Sequence, residues 1–162
     1  LVRACSGIDD VELRIVGRID DKVKEELSAI ASGNDGRWLH LLGEKSHEDV
    51  IREMLSCDLF VLPSYTEGFP NVIIEAMACS TPIIATGVGA IPEIFECENN
   101  KSAGVIVPVY DVEALRSAIS RLMDDGPMKR ELSLNAIKKV NSSYAVSSVW
   151  KRMVDVWKNA IE

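Results

Sequence analysis

The sequence predicts an α/β fold, a Rossmann-like parallel sheet with helices on both faces, and two observations carry that expectation. Short apolar runs alternate with longer amphipathic stretches along the 162 residues, the pattern of strand–helix–strand units. One run, "DLFVLPS" (58–64), is apolar almost without a break, as strands covered on both faces are. The length suits one ordinary domain. With 47% hydrophobic and 27% charged residues, the chain can build a core of that kind.

The elements follow in order. "VELRIVG" (11–17) reads as a strand, with Val11, Leu13 and Ile15 alternating against Glu12 and Arg14. In "DDKVKEELSAIASG" (20–33) an aspartate cap precedes a helix with Val23, Leu27, Ile30 and Ala31 on one face, and Gly33 is its stop signal. "WLHLLG" (38–43) is a second strand, and "SHEDVIREMLSC" (46–57) a helix with a Ser cap and acids in its first turn, where they suit the positive end of the helix dipole. After "DLFVLPS" come a helix over about 70–79, the strand "PIIAT" (82–86), a turn or short helix around Pro92–Phe95, and the strand "AGVIVP" (103–108). Asp111 caps a helix with Val112, Leu115, Ile119, Leu122 and Met123 on one side, and Pro127 opens the next at a first helical position. The last helix, about 145–161, carries a wide apolar stripe through Trp150, Met153, Val154 and Trp157; the two tryptophans read most simply as core.

Composition excludes several classes. A net charge of −7 argues against nucleic-acid binding, which calls for a basic stripe. Cys5, Cys57, Cys79 and Cys97 form no CxxC pair, so they read as reduced small hydrophobes, in keeping with a cytoplasmic address. Two histidines, His40 and His47, are too few for a histidine-built metal site and read as structural or surface residues. No apolar run approaches the ~18 residues of a membrane span. The opening "LVRACSGIDD" lacks an initiator Met and resembles the tail of a helix, which suggests a fragment.

The chemistry concentrates in "PSYTEGFPN" (63–71) and the helix it enters. In open α/β sheets ligands bind at loops leaving the carboxyl ends of strands. Gly68 permits close approach of backbone to a ligand. Pro70 suits a first helical turn, and the free N–H groups around Asn71 and Val72 make an anion site, aided by the dipole. Two carboxylates flank it: Glu67 on the loop and Glu75 one turn into a helix that is otherwise apolar or small. Such a charge is costly to bury unpaired. Either Glu67 is a solvated loop residue and Glu75 is neutralised by a nearby lysine or arginine, or both accept hydrogen bonds from hydroxyls of a ligand. Two carboxylates around an anion site would repel a bare dianion, but they suit phosphate flanked by hydroxyl-bearing sugars, the shape of a nucleotide sugar.

The stretch "PSYTEGFPNVIIEAMACSTPIIAT" closely resembles the signature of the retaining glycosyltransferases of family 4, which have the GT-B fold. "VELRIVG", "TPIIATGVGAIPEI" and "AGVIVPVYDVEALRSAI" extend the resemblance in the right order over nearly the whole chain. The resemblance implies transfer of a sugar from a nucleotide-sugar donor, a UDP-sugar or GDP-sugar, to a hydroxyl with retention, in polysaccharide or glycolipid biosynthesis. It makes Glu67 the catalytic residue at the donor sugar and Glu75 the ribose-binding one. It assigns backbone contacts with the sugar and distal phosphate to Gly68, Phe69, Pro70, Asn71 and Val72. The loop "LGEK" offers Gly43, Glu44 and Lys45 as base contacts, and Arg18 as a phosphate contact. No cofactor and no metal are expected, in the absence of a DxD triplet.

Departures from the family pattern are few. No second glycine follows Gly17 (the next residues are Arg18 and Ile19), Ser80 stands where glycine is usual, and so does Ala90. The resemblance implies that the domain's first strand, central in a 3-2-1-4-5-6 sheet, and the basic diphosphate clamp after it precede Leu1. Residues 1–162 are then one nucleotide-sugar-binding domain, the C-terminal half of a GT-B enzyme, inactive alone. Its final helix packs toward an N-terminal domain that receives a saccharide or lipid-linked acceptor, with peripheral association of the full protein at the inner face of the cell membrane. The alternatives are a sugar-nucleotide epimerase on the same scaffold and a non-catalytic donor-domain homologue.

Overall fold

The computed structural model describes residues 1–32 and 36–161; Gly33, the expected helix stop, lies outside them. The described residues form five strands: β1 Leu13–Val16, β2 Leu39–Gly43, β3 Phe60–Leu62, β4 Ile83–Thr86 and β5 Val105–Val107. Helices α1 Val2–Cys5, α2 Asp21–Ala31, α3 His47–Ser56, α4 Asn71–Ala78 and α5 Ile91–Phe95 come among them. Helices α6 Val112–Asp124, α7 Gly126–Lys139 and α8 Val146–Ile161 close the chain. Two expected caps, Ser46 and Asp111, are made by side chains, and Asp125 makes a third that the sequence reading did not assign. The Ser46 hydroxyl accepts from the Asp49 N–H and donates to the Asp49 carboxylate, which holds that carboxyl below its usual range. Asp111 accepts from Ala114 N–H and Asp125 from Met128 N–H. Asp20 stands at the cap position of α2, but its side chain bonds no backbone N–H.

The strands are parallel, and they form two sheets, β1–β2 and β3–β4–β5. The order β2-β1 followed by β3-β4-β5 is what 3-2-1-4-5-6 leaves when its strand 1 is taken out. The edges of β1 and β3 that would meet that strand border a cavity of about 890 Å³, lined by Leu13–Val16 on one side and Leu59–Leu62 on the other. The interruption corrects one expectation. All three residues of β3 are only half-buried, because that strand borders the cavity, whereas every residue of β4 is buried.

The two sheets are held together by their shared layers. On one face Ala4 and Cys5 of α1 and Leu115, Ile119 and Leu122 of α6 pack with Ile84, Val107 and, from the first sheet, Leu13. The other face collects Met54 of α3, Ile73, Ala76 and Met77 of α4, Ile83 and Ala85 of β4, and Ile91, Ile94 and Phe95 of α5. Ile83, Ile84 and Ala85 thus alternate between the two clusters, as a period-two strand buried on both faces must. Fully burying side chains of this size contributes about 1.5–3 kcal/mol each.

Three further findings depart from the sequence reading. Pro70 caps α4 from just outside it instead of occupying its first turn. Val23 is exposed, and only Ala31 of the predicted α2 face is fully buried. Trp150 and Trp157 are not core: they are 59% and 55% exposed and meet edge-on at 6.3 Å, with Val146 and Met153 also exposed. Among the described residues no helix is long and apolar enough to cross a membrane.

Candidate functional site

At the carboxyl ends of β1 and β2 the chain turns on two glycines. The Gly17 N–H donates to the Gly43 carbonyl at 2.8 Å. Gly43 has φ +68° and Gly17 φ +130°, conformations that glycine adopts without a Cβ penalty. This junction brings together the loops carrying Arg18 and Glu44–Lys45, and all three residues line the 890 Å³ cavity with Val72 of α4. The predicted base and phosphate contacts therefore share one space with the predicted helix end. Lys45 is also tied inside the fold: its Nζ stands 3.3 Å from Glu53 Oε1, and Glu53 Oε2 is met by Arg14 at 3.0 Å.

Helix α4 begins without a side-chain cap and without an acid in its first turn. The Ile73 N–H bonds the Pro70 carbonyl, so the two preceding N–H groups, of Asn71 and Val72, are those left to meet a ligand. Pro70 is buried and anchors this end, while Asn71 and Gly68 are exposed. The Phe69 ring turns toward Tyr144, edge-on at 5.9 Å, so its expected contribution to ligand binding falls to the backbone.

The two glutamates are held separately. Glu67 is half-buried, and its Oε1 accepts from the Ser64 hydroxyl at 2.6 Å. Glu75 Oε1 faces His47 Nδ1, the first residue of α3, at 4.0 Å. The group beside Glu75 is thus an exposed imidazole, not the lysine or arginine that the composition allowed. Among the described residues, no hydrogen bond or ion pair joins either glutamate to Arg18 or Lys45. At the far end of α4, burial, and then the Glu75 charge, push the Cys79 thiol up.

The structure adds residues that the sequence did not single out. Gly89 has φ +55°, and a Cβ there would lie 2.2 Å from the Glu67 carbonyl oxygen and 2.7 Å from that of Gly68. The next residue, Ala90, donates its N–H to the Gly68 carbonyl at 2.9 Å. The β4–α5 loop is therefore the bed on which the Glu67–Gly68 turn lies. On the outer side Tyr65 and Tyr110 stack at 4.4 Å, both exposed, with Tyr110 at φ +61°. The glycines of "GVGAIPEI" were visible in the sequence, but the partner of Gly89 lies 22 residues away. No local pattern names such a partner. His47 reads as an ordinary first-turn residue until α3 and α4 are packed side by side.

The family model described as glycosyl transferases group 1 matches residues 1–139. The MMP alpha-(1->4)-mannosyltransferase of Mycolicibacterium hassiacum is 30% identical over 152 residues, 94% of this chain and 36% of that protein. Among solved structures, sucrose-phosphate synthase from Thermosynechococcus elongatus superposes with a TM-score of 0.81 at 28% identity, over 99% of this chain and 41% of the synthase. Anabaena HepE, solved in complex with UDP, gives 0.82 at 23% identity over 98% of this chain and 44% of its own. The chain thus spans about two fifths of the length of the proteins it matches, and its fold is that of the C-terminal domain of GT-B glycosyltransferases.

Proposed function

The chain belongs to the glycosyl transferases group 1 family, and on that premise we propose that it is the donor-binding half of an enzyme that transfers a sugar from a nucleotide-sugar donor to a hydroxyl, with retention at the anomeric carbon. The observation that carries this reading is the pair Glu67 and Glu75 flanking the uncapped N-terminus of α4. Glu67 takes hydroxyls of the donor sugar, Glu75 takes those of the ribose, and the Asn71 and Val72 N–H groups take the distal phosphate between them. Arg18, Glu44 and Lys45, which line the cavity, and Gly43, whose carbonyl accepts from the Gly17 N–H, border the base and phosphates.

In the reaction, the bond between the anomeric carbon and the diphosphate oxygen breaks. A bond to the acceptor oxygen forms on the same face, and the acceptor proton passes to the departing phosphate. Negative charge builds on the diphosphate, so preorganised donors at the helix end stabilise the transition state more than the ground state. The acceptor, a saccharide or lipid-linked hydroxyl, is received by the remainder of the complete protein, against which the apolar face of α8 packs. HepE, a fold neighbour that takes UDP, and the mannosyltransferase among the relatives support a nucleotide-sugar donor of the UDP or GDP series.

The test uses the complete protein, its donor chosen from UDP- and GDP-sugars by thermal shift. Glu67→Ala is expected to abolish transfer, a loss of at least about a hundredfold in kcat. Glu75→Ala is expected to raise the donor KM about tenfold, in line with ~1.5–3 kcal/mol for hydrogen bonds to a charged group, and to spare kcat. Near-normal turnover by Glu67→Ala would remove Glu67 from the reaction.

A further inference from the structure

Glu67 does not set its own orientation. Ser64 leaves the end of β3, and its hydroxyl donates to Glu67 Oε1 at 2.6 Å. Ser64 is fixed in turn by Thr86, the last residue of β4, whose Oγ1 donates to the Ser64 carbonyl at 2.5 Å. Thr86 is 4% exposed and belongs to the fully buried strand of the sheet, so the loop is tied to a packed element. The Ser64 proton goes to Glu67, and the Thr86 proton goes to the Ser64 carbonyl, with the Leu62 carbonyl farther off at 3.5 Å. The second oxygen of the carboxylate accepts no protein hydrogen bond among the described residues and is left for a ligand.

We propose that Ser64 is a positioning residue and Thr86 its anchor, a two-hydroxyl relay that carries the rigidity of β4 to the Glu67 carboxylate. The inference rests on the reading of Glu67 as the carboxylate at the donor sugar. A carboxylate on an exposed loop samples several rotamers, and each misdirected rotamer loses the sugar hydroxyls. A hydroxyl donating to one oxygen selects the rotamer that aims the other outward. The role is specific to the sugar end of the donor, because the Thr86–Ser64–Glu67 chain touches neither the ribose-side Glu75 nor the helix N-terminus.

That specificity supplies the readout. In the complete protein, UDP-glucose and GDP-mannose are compared with free UDP and GDP, turnover being followed as release of nucleoside diphosphate and binding by calorimetry. Ser64→Ala is expected to lower donor kcat/KM about tenfold, the scale of one hydrogen bond to a charged acceptor, and to leave the Kd of the free nucleoside diphosphate within twofold. Ser64→Thr, which keeps the hydroxyl, should recover most of the loss, and Thr86→Val should show a smaller loss confined to the sugar-bearing donor. Should Ser64→Ala not fold, Ser64→Cys, a weaker donor of similar size, must show the same donor-specific loss. Ser64→Ala with wild-type donor kcat/KM beside an inactive Glu67→Ala overturns the relay alone. An equal loss of affinity for free UDP overturns it as well, by making Ser64 a general support of the fold. An active Glu67→Ala removes the underlying reading of the site, and the relay with it.

Discussion

Glu75 is accommodated on a helix whose other side chains are apolar or small because its side chain, 32% exposed, turns out of the core toward His47 at 4.0 Å. A fully buried carboxylate on α4 would need a close partner; a half-exposed one does not. Glu67 shows the opposite case, an exposed loop whose single carboxylate is fixed by Ser64 and whose backbone is fixed by Gly89 and Ala90. Gly89 is the least replaceable residue of this arrangement. A Cβ 2.2 Å from the Glu67 carbonyl oxygen meets backbone, which cannot swing aside as a side-chain tip would, and φ +55° adds its own strain. Gly89→Ala is therefore expected to cost about 1–3 kcal/mol in urea unfolding and to depress donor turnover by moving Glu67. An unchanged unfolding midpoint would show that the loop yields freely. The glutamate pair itself was legible in the sequence, because a charge interrupts an apolar helix. Ser64, Thr86 and Gly89 were not, since their meaning lies in a contact across two strands.

At the scale of elements, α4 is read well from sequence at its start and less well at its end. The Thr81 N–H reaches the Ala76 carbonyl and the Ser80 N–H the Met77 carbonyl, the bond pair that closes a helix through a left-handed residue. That residue is Ser80, at φ +58°. What the sequence shows as a minor departure from glycine is a strained C-terminal cap. Ser80→Gly is expected to stabilise the chain by about 0.5–1 kcal/mol, the relief of a left-handed conformation less the added freedom of the unfolded chain, and to raise Tm by about 1–4 °C. A lower Tm would show that the serine has a compensating contact. Helix α8 illustrates the limit of periodicity. Its apolar stripe was legible, but Trp150 and Trp157 face solvent. Periodicity shows that a face is apolar and says nothing of which body covers it. The same holds for β3, whose apolar run borders the cavity.

For the molecule as a whole, titration offers a stability test that needs no ligand. Burial raises the thiols of Cys5, Cys57, Cys79 and Cys97 above their ordinary value, and burial first, then the Glu93 charge, raises the Tyr144 hydroxyl. A group whose folded pKa lies above its unfolded one holds its proton longer in the folded state. Its contribution is fully present below the unfolded pKa and is lost as pH rises toward the folded one. With ordinary thiols at about 8.5 and tyrosine at about 10, Tm under reducing conditions should hold from about pH 7 to 8 and fall progressively above about 8.5. Cys5→Ala, at the most deeply buried of these thiols, should flatten part of that fall, and an unchanged slope would show that Cys5 does not contribute. The whole-molecule arrangement also explains why two sheets behave as one scaffold. They share no hydrogen-bonded edge, yet α1 and α6 pack in one cluster with strands of both, so the loops of Arg18 and Lys45 and the start of α4 at Val72 open into one cavity.

By itself the sequence determined the α/β class, the order of the elements, the Ser46 and Asp111 caps, and the loop and helix that carry Glu67 and Glu75. Each is a property of neighbours in the chain: hydrophobic period, capping chemistry and the free N–H groups of a helix start. Tertiary structure alone decided that His47 is the group beside Glu75 and that Glu67 hangs from β4 through two hydroxyls. Those facts depend on which faces meet after the strands align, and packing of distant segments in three dimensions leaves no mark in the spacing of residues along one.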